Sequence, residues 1–549
     1  MGGGSGAKPA GDSGGLPGRA PATGVGAAGP GGPVARPGGR PASATGRGPL
    51  RRRPGGRTRA GCCRPGAGAG PPDPRGEPSL IKLALPTGDL RRPLAALLER
   101  AGLRVQGYGE GSRAYRLPAE GDGPLRVRVF RERDIPIQIA LGNYDIGICG
   151  LHWVEEFLCR YPRGDVVRLG GLPVGGTSVW VAAASGQWGG LRDLAGRWGV
   201  RIVSEFPNLA EAFALAARLP AYRVVPVWGA AEAYPPEDAD LAVVAATDES
   251  ALAAQGLAPL HRLLQGRAWV IVNRHSLRGK DMGWLLSLLA DCGLEAGEGL
   301  SLPPPLSLTR VAPAAPPQER TTVRIALPDG HQQRHVLEAL AEAGLEFEGY
   351  AEGERRPRSR LEGVEVKVVR PQDMPQMVAL GNFDLAVSGR DCLLEHLYRF
   401  PSSPVEMALD LGRGAFNVSA VVAADLPAES LADALRYWRE RGVGTVRIAS
   451  EFVSIADHYA RSRHFWRYRV IPTAGASEGF VPEDAELLIE GTETGRTLVE
   501  NQLKAIDVLF RSTTCVIVRR GSLQGPRGRL LSSLLERLAR GAVAASARM

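Results

Sequence analysis

Residues Val127–Gly150 read VRVFRERDIPIQIALGNYDIGICG, and from Val366 to Gly389 the chain says almost the same again, as VKVVRPQDMPQMVALGNFDLAVSG. Each version opens on an apolar run of strand length, passes through apolar residues at helical spacing, and closes on a second apolar run ending in glycine. Working outward, LIKLALPTGDLRRPLAALLERAGLRVQGYGEGSR from Leu80 matches TVRIALPDGHQQRHVLEALAEAGLEFEGYAEGER from Thr322. VRIVSEFPNLAEAFA from Val200 matches VRIASEFVSIADHYA from Val446, and YRVVPVWGAAEAYPPEDADL from Tyr222 matches YRVIPTAGASEGFVPEDAEL from Tyr468. The order is kept throughout, so a unit of about 220 residues is written twice in tandem.

Within each unit, short apolar runs such as IKLAL, YDIGICG and VRIVS alternate with amphipathic stretches such as LRRPLAALLERAGL. That alternation predicts an α/β fold with parallel sheets. A late apolar run, AWVIVNRHSL in the first unit and TTCVIVRRGSL in the second, predicts a chain that returns to its first lobe, leaving a cleft between two lobes. The organisation expected is a tail over 1–77, a first copy over 78–300, a linker over 301–320 whose six prolines favour an extended connection, and a second copy over 321–549. A linker of that length lets the two copies meet as an intramolecular pseudo-dimer, with homo-oligomerisation the alternative.

The formal charge of +9 sits entirely in the tail, where Lys8 and eleven arginines face Asp12, Asp73 and Glu77. The tail is Gly, Pro, Ala and Arg with almost no large apolar residue, so it is expected to be disordered. Without aromatic residues for base stacking, its composition argues against nucleic acid as a partner. Seven cysteines show no C-x-x-C spacing, which supports neither a disulfide framework nor a zinc site. No apolar run approaches membrane-helix length and no signal-type segment is visible, so a cytoplasmic location is expected.

The candidate site lies in IEGTETGRTLVENQL from Ile489, where a strand end turns into a helix. Gly491 and Gly495 allow close backbone approach, Thr494 and Thr497 offer hydroxyls, Arg496 offers a charged donor, and Glu490 offers an acceptor for sugar hydroxyls. These groups suit a phosphate-plus-ribose ligand; a plain helix cap reads equally well from the loop alone. The matching stretch in the first copy, VVAATDESALAAQGL from Val243, puts Val244, Asp248 and Glu249 where the second has Glu490, Thr494 and Gly495. A carboxylate about 4 Å from a phosphate costs on the order of 4 kcal/mol at an effective dielectric near 20. The first copy's loop is therefore expected to reject such a ligand.

Taken in order, the ALP-x-G turn, the R-x-x-D-x-P…G-x-x-D block, the S-E-F strand end, the G-x-x-E turn and the E-x-x-x-TGRTL loop resemble the catalytic part of ATP phosphoribosyltransferase, the glycosyltransferase that opens histidine biosynthesis. The resemblance covers both copies. It implies two lobes of the type II periplasmic-binding-protein kind, with phosphoribosyl pyrophosphate and Mg²⁺ at the loop (Glu490, Thr494, Gly495, Arg496, Thr497) and ATP nearby. Arg355 and Arg370, with Arg113 and Arg131 as first-copy counterparts, are implied to bind nucleotide phosphates. Adenine N1 would attack the ribose C1′ and release pyrophosphate, so no Ser, Cys or His nucleophile is nominated. A synthetase-like regulatory subunit is an implied partner.

Departures from the family pattern accompany the resemblance. The family's Pro-Lys-Gly-Arg turn is PTGD from Pro86 and PDGH from Pro328, and Ser178 and Asn417 stand where a strand arginine is usual. Neither copy keeps the full set. Either one site is assembled from both copies, with arginines donated across the interface, or the chain is a non-catalytic nucleotide- or phosphoribosyl pyrophosphate-binding regulator. Histidines 331, 335 and 458 read as solvated or structural, Asp145 and Asp384 as strand-turn closers, and Trp180 and Trp228 as core.

Overall fold

The parallel core of each lobe follows from runs of β-branched and aliphatic residues buried on both faces. In a computed structural model, which describes residues 80–109, 114–120, 124–162, 164–306, 320–493 and 495–546, the first copy's lobe I is a sheet ordered Arg116–Leu117, Leu125–Phe130, Ile81–Pro86, Ile146–Gly150, Ala268–Asn273, Val166–Leu172. Its lobe II runs Tyr222–Pro226, Val200–Ser204, Leu241–Ala246, Ser178–Ala184, Leu257–Leu264. The second copy repeats the pattern with Val364–Val369, Val323–Pro328, Leu385–Gly389, Thr514–Arg519, Val405–Asp410 in lobe I. Its lobe II has Tyr468–Pro472, Val446–Ser450, Leu487–Thr492, Phe416–Ala423, Leu503–Ser512.

The late strands return to lobe I as expected, but the sheets are mixed rather than parallel. Ala268–Asn273 and Thr514–Arg519 run antiparallel to both neighbours. A chain coming back from the far lobe enters the sheet from the opposite end, which reverses its direction. The helix expected after the candidate loop is likewise cut short at Glu500, because Leu503–Ser512 leaves to form an edge strand.

The described residues all fall in one compact unit, and the two copies meet inside it head to tail. Phe130, Ile135 and Tyr144 of the first copy's lobe I share a core with Ile471, Phe480 and Leu488 of the second copy's lobe II. Reciprocally, Val203, Val227 and Tyr234 of the first copy's lobe II share a core with Val369, Met374 and Phe383 of the second copy's lobe I. Asp134 and Asp373 occupy matching places at the starts of the helices Ile135–Ala140 and Met374–Leu380, yet neither caps its own helix. Each instead accepts a backbone N–H from the other copy, Asp134 from Ala474 at 2.9 Å and Asp373 from Trp228 at 3.0 Å.

The two interfaces are not identical. Tyr144 donates to Asp484 at 2.9 Å, whereas the hydroxyl of Tyr234 is buried with no hydrogen-bond partner among the described residues. An orphaned buried hydroxyl is destabilising. Tyr234→Phe should therefore raise the unfolding free energy by about 1 kcal/mol in a denaturant titration.

The first residues of the expected linker are held against the first copy, with Ser301 N–H donating to Leu263 O and Leu306 N–H to Ala217 O. Residues 307–319, the tail, Arg113, Thr494, Cys62 and Cys63 lie outside the described residues. The five described cysteines are free. No described helix is long and apolar enough to cross a membrane. Asp145 and Asp384 close strand turns as expected, accepting the N–H of Lys82 and of Arg324, both at 2.9 Å. Trp180 is core, but Trp228 is 39% exposed and lies under the Arg133 guanidinium at 5.1 Å, a correction to its reading as core.

Candidate functional site

Strand Leu487–Thr492 delivers Glu490 to the mouth of lobe II, opposite Ser419 on the neighbouring strand. Gly491 is obligatory for space, since a Cβ there would meet the Phe416 ring at 2.8 Å. Gly495 is required for a different reason: its surroundings are open, but its φ of +69° suits glycine. The helix that follows, Arg496–Glu500, has five residues, so little dipole accumulates behind the loop. Arg496 turns outward to pair with Glu500 at 2.8 Å, and Thr497 is half-buried at the helix start.

Two carboxylates not nominated from sequence join Glu490. Glu451 ends strand Val446–Ser450 and Glu478 lies in the short helix Ser477–Phe480. The repeated S-E-F and G-x-x-E motifs carried that signal. Burial, and then the charges of Glu451 and Glu478, push the Glu490 carboxyl well above the usual range. Burial also raises Glu451 and Glu478, with Arg131 opposing in both cases. Three crowded carboxyls with hydrogen-bonding capacity suit a hydroxylated ligand accompanied by cations. Among the described residues, no group of three or more His, Cys, Asp or Glu converges as a metal site.

Arg131 reaches this group from the other copy. Its Nε lies so near Gly475 that a Cβ there would stand 2.8 Å from it and 3.0 Å from Glu451 Oε1. Gly475, at φ +111°, has neither room nor backbone freedom for a side chain. The Arg131 guanidinium makes no hydrogen bond or ion pair among the described residues; its backbone carbonyl accepts the Asp134 N–H at 2.9 Å.

Arg370, its counterpart, faces the first copy's cleft and is tied to Asp329 at 3.2 Å. Arg355 is consumed there as well, by Glu232 at 2.9 Å and Asp329 at 2.8 Å. The lobe I turn explains the difference, because Thr87 stands where Asp329 does and adds no charge. The structure thus brings Glu490, Gly495, Thr497 and Arg131 to one site, sends Arg355 and Arg370 to the other, and leaves Arg496 at the rim.

The first copy's loop is filled by its own carboxylate. Asp248 caps the helix Glu249–Ala254, accepting the N–H of Ala251 at 2.9 Å and the Ser250 hydroxyl at 2.5 Å. The Ala251 amide, a donor that a bound anion would use, is already satisfied. Beside it, Val244 lies against Trp180 where Glu490 lies against Ser419.

Repeat register also needs correcting. The sequence pairs Arg113 with Arg355, but Val129 N–H donates to Tyr115 O as Val368 N–H donates to Arg355 O. Arg116 pairs with Glu483 as Arg356 pairs with Glu237. Tyr115, therefore, occupies the place of Arg355.

Asp134 adds a pH dependence. Burial pushes its carboxyl up to about 7, partly offset by the Ala474 N–H. An unfolded aspartate titrates near 4. Its contribution is therefore fully present below about pH 4 and lost as pH rises through about 7. Asp134→Asn should flatten the fall in melting temperature between about pH 4 and 7, checked by thermal unfolding across that range.

Two α/β lobes joined by a strand that returns to the first, in each of two tandem copies, make a fold of the type II periplasmic-binding-protein kind, here duplicated. The sequence pattern of HisG, ATP phosphoribosyltransferase, matches residues 131–290 and again 370–540. The ATP phosphoribosyltransferase of Chelativorans sp. (strain BNC1) is 30% identical over 231 residues, spanning 40% of this chain and all of the relative. That of Thermotoga neapolitana is 30% identical over 215 residues, 39% of this chain and 91% of the relative. Among solved structures, the ATP phosphoribosyl transferase (HisG:HisZ) complex from Thermotoga maritima is 25% identical, covering 41% of this chain and all of that one, with a TM-score of 0.33. The chain belongs to the ATP phosphoribosyltransferase family, the transferases of the first step of histidine biosynthesis, and carries the family unit twice.

Proposed function

We propose that the chain transfers the phosphoribosyl group of phosphoribosyl pyrophosphate to N1 of ATP at one composite site, built from the second copy's loop and the first copy's lobe I. The observation that carries this reading is the unpaired Arg131 lying against Gly475, while its counterpart Arg370 is tied to Asp329. In the reaction the C1′–N1 bond forms as the C1′–O bond to pyrophosphate breaks. Glu490 accepts from ribose hydroxyls, the backbone around Gly495 and the hydroxyls of Thr494 and Thr497 meet the 5′-phosphate, and Arg131 neutralises phosphate charge. Positioning and charge neutralisation supply the catalysis.

Mg²⁺ belongs to this reading as a companion of the pyrophosphate, because no described carboxylate set would hold it alone. A cytoplasmic location and a synthetase-like regulatory subunit belong to it too, the latter tested by whether adding such a subunit raises turnover. Formation of phosphoribosyl-ATP from ATP, phosphoribosyl pyrophosphate and Mg²⁺ by the purified full chain tests the assignment. Glu490→Gln should weaken phosphoribosyl pyrophosphate binding about 10-fold, because an acceptor oxygen is replaced by an amide donor facing the same hydroxyls. Product formation unaffected by that change would refute the placement.

A further inference from the structure

The composite site differs from its pseudo-symmetric twin at three touching positions. On the side of the first copy's cleft these are Arg355, Ala233 and Gln255; on the side of the retained loop they are Tyr115, Gly479 and Asn501. The second set fits together. Tyr115 N–H donates to Asn501 Oδ1 at 3.0 Å, at the end of the loop helix. A Cβ on residue 479 would stand 3.2 Å from the Tyr115 Cβ and 3.4 Å from Val129 O, so Gly479 makes the room in which the tyrosine lies. An alanine, as at position 233, would require the tyrosine to give way by a few tenths of an ångström.

Arg355 spends its charge on Glu232 at 2.9 Å. The phenol that replaces it is neutral and leaves Glu478, the counterpart of Glu232, free of such a pair. Its hydroxyl makes no hydrogen bond among the described residues. The tyrosine is held between the end of the loop helix and Gly479, next to Glu478 in sequence; burial and then the charge of Glu478 raise its phenol above the ordinary range, Glu490 adds to this, and Arg131 and Arg91 oppose it. An unsatisfied hydroxyl donor among carboxylates that accept from sugar hydroxyls is placed to donate to the oxygen of one of those same hydroxyls.

We propose that Tyr115, supplied by the first copy, is a positioning residue for the pentose of the ligand held at the second copy's loop, donating its phenolic hydrogen to a ribose hydroxyl oxygen. This rests on the composite-site reading above. It makes the tyrosine sensitive to the sugar and indifferent to the pyrophosphate, a distinction that a purely packing role would not produce.

Calorimetric titrations of the full chain with phosphoribosyl pyrophosphate and, separately, with pyrophosphate provide the test, on wild type, Tyr115→Phe, Tyr115→Ala and Glu490→Gln. Tyr115→Phe should weaken phosphoribosyl pyrophosphate about 5- to 10-fold, one hydrogen bond, and leave pyrophosphate affinity and melting temperature unchanged. Equal losses for both ligands, or no loss in Tyr115→Phe whatever Tyr115→Ala does, would overturn the proposal. Glu490→Gln separates the two readings: if it weakens sugar binding and Tyr115→Phe does not, the loop stands and the tyrosine's role falls. If wild type binds neither ligand, both fall together.

Discussion

Phe480→Ala should lower the unfolding free energy by about 3–5 kcal/mol, the range for deleting a fully buried phenyl ring. Phe480 is completely buried, and its ring meets Phe130 of the other copy edge-on at 5.0 Å. Phe130 in turn meets Tyr144 at 5.0 Å. The cavity would open in a core shared by both copies, where neither can collapse without dragging the other. Denaturant unfolding followed by tryptophan fluorescence measures the loss, and a change under about 1 kcal/mol would show that the copies do not share this core in solution.

The second large effect concerns activity. Arg131→Ala should reduce kcat/KM about 10- to 100-fold, as expected for removing a charge-assisted contact to a phosphate. Arg370→Ala should lower stability by loosening Asp329 while reducing kcat/KM far less. Steady-state assays of the two variants give the contrast directly. Equal losses would mean that both clefts bind substrate, and the argument from Asp248 and Asp329 would then fail.

The duplication was legible because each motif appears twice with its spacing intact, and the alternation of apolar runs with amphipathic stretches sufficed for the α/β class. Glu490 and Gly495 were legible for the same reason, through contrast with Val244 and Glu249. The direction of the returning strands was not, since an apolar run such as CVIV reads alike in either orientation. Nor was the head-to-tail pairing: Ile135 and Ile139 look like residues packed on their own sheet, and nothing local says that Phe480 completes their core. The pairing of Tyr115 with Arg355 was hidden because the connecting loops differ in length, and the backbone bonds to Val129 and Val368, with the matching ion pairs of Arg116 and Arg356, fix the register. Arg131 was named, but its partner loop belongs to the other copy, a relation that lies outside linear order.

A dimer of identical subunits must use every surface residue twice, so a change that improves one half of a contact is imposed on the other half as well. Here the reciprocal docking of the lobes is made within a single polypeptide, and that obligation is gone. Thr87 can differ from Asp329, and Tyr115 from Arg355, because each now meets one fixed neighbour and never its own copy. Covalent fusion thus removes the constraint that would keep the two clefts alike, and each can change without the other.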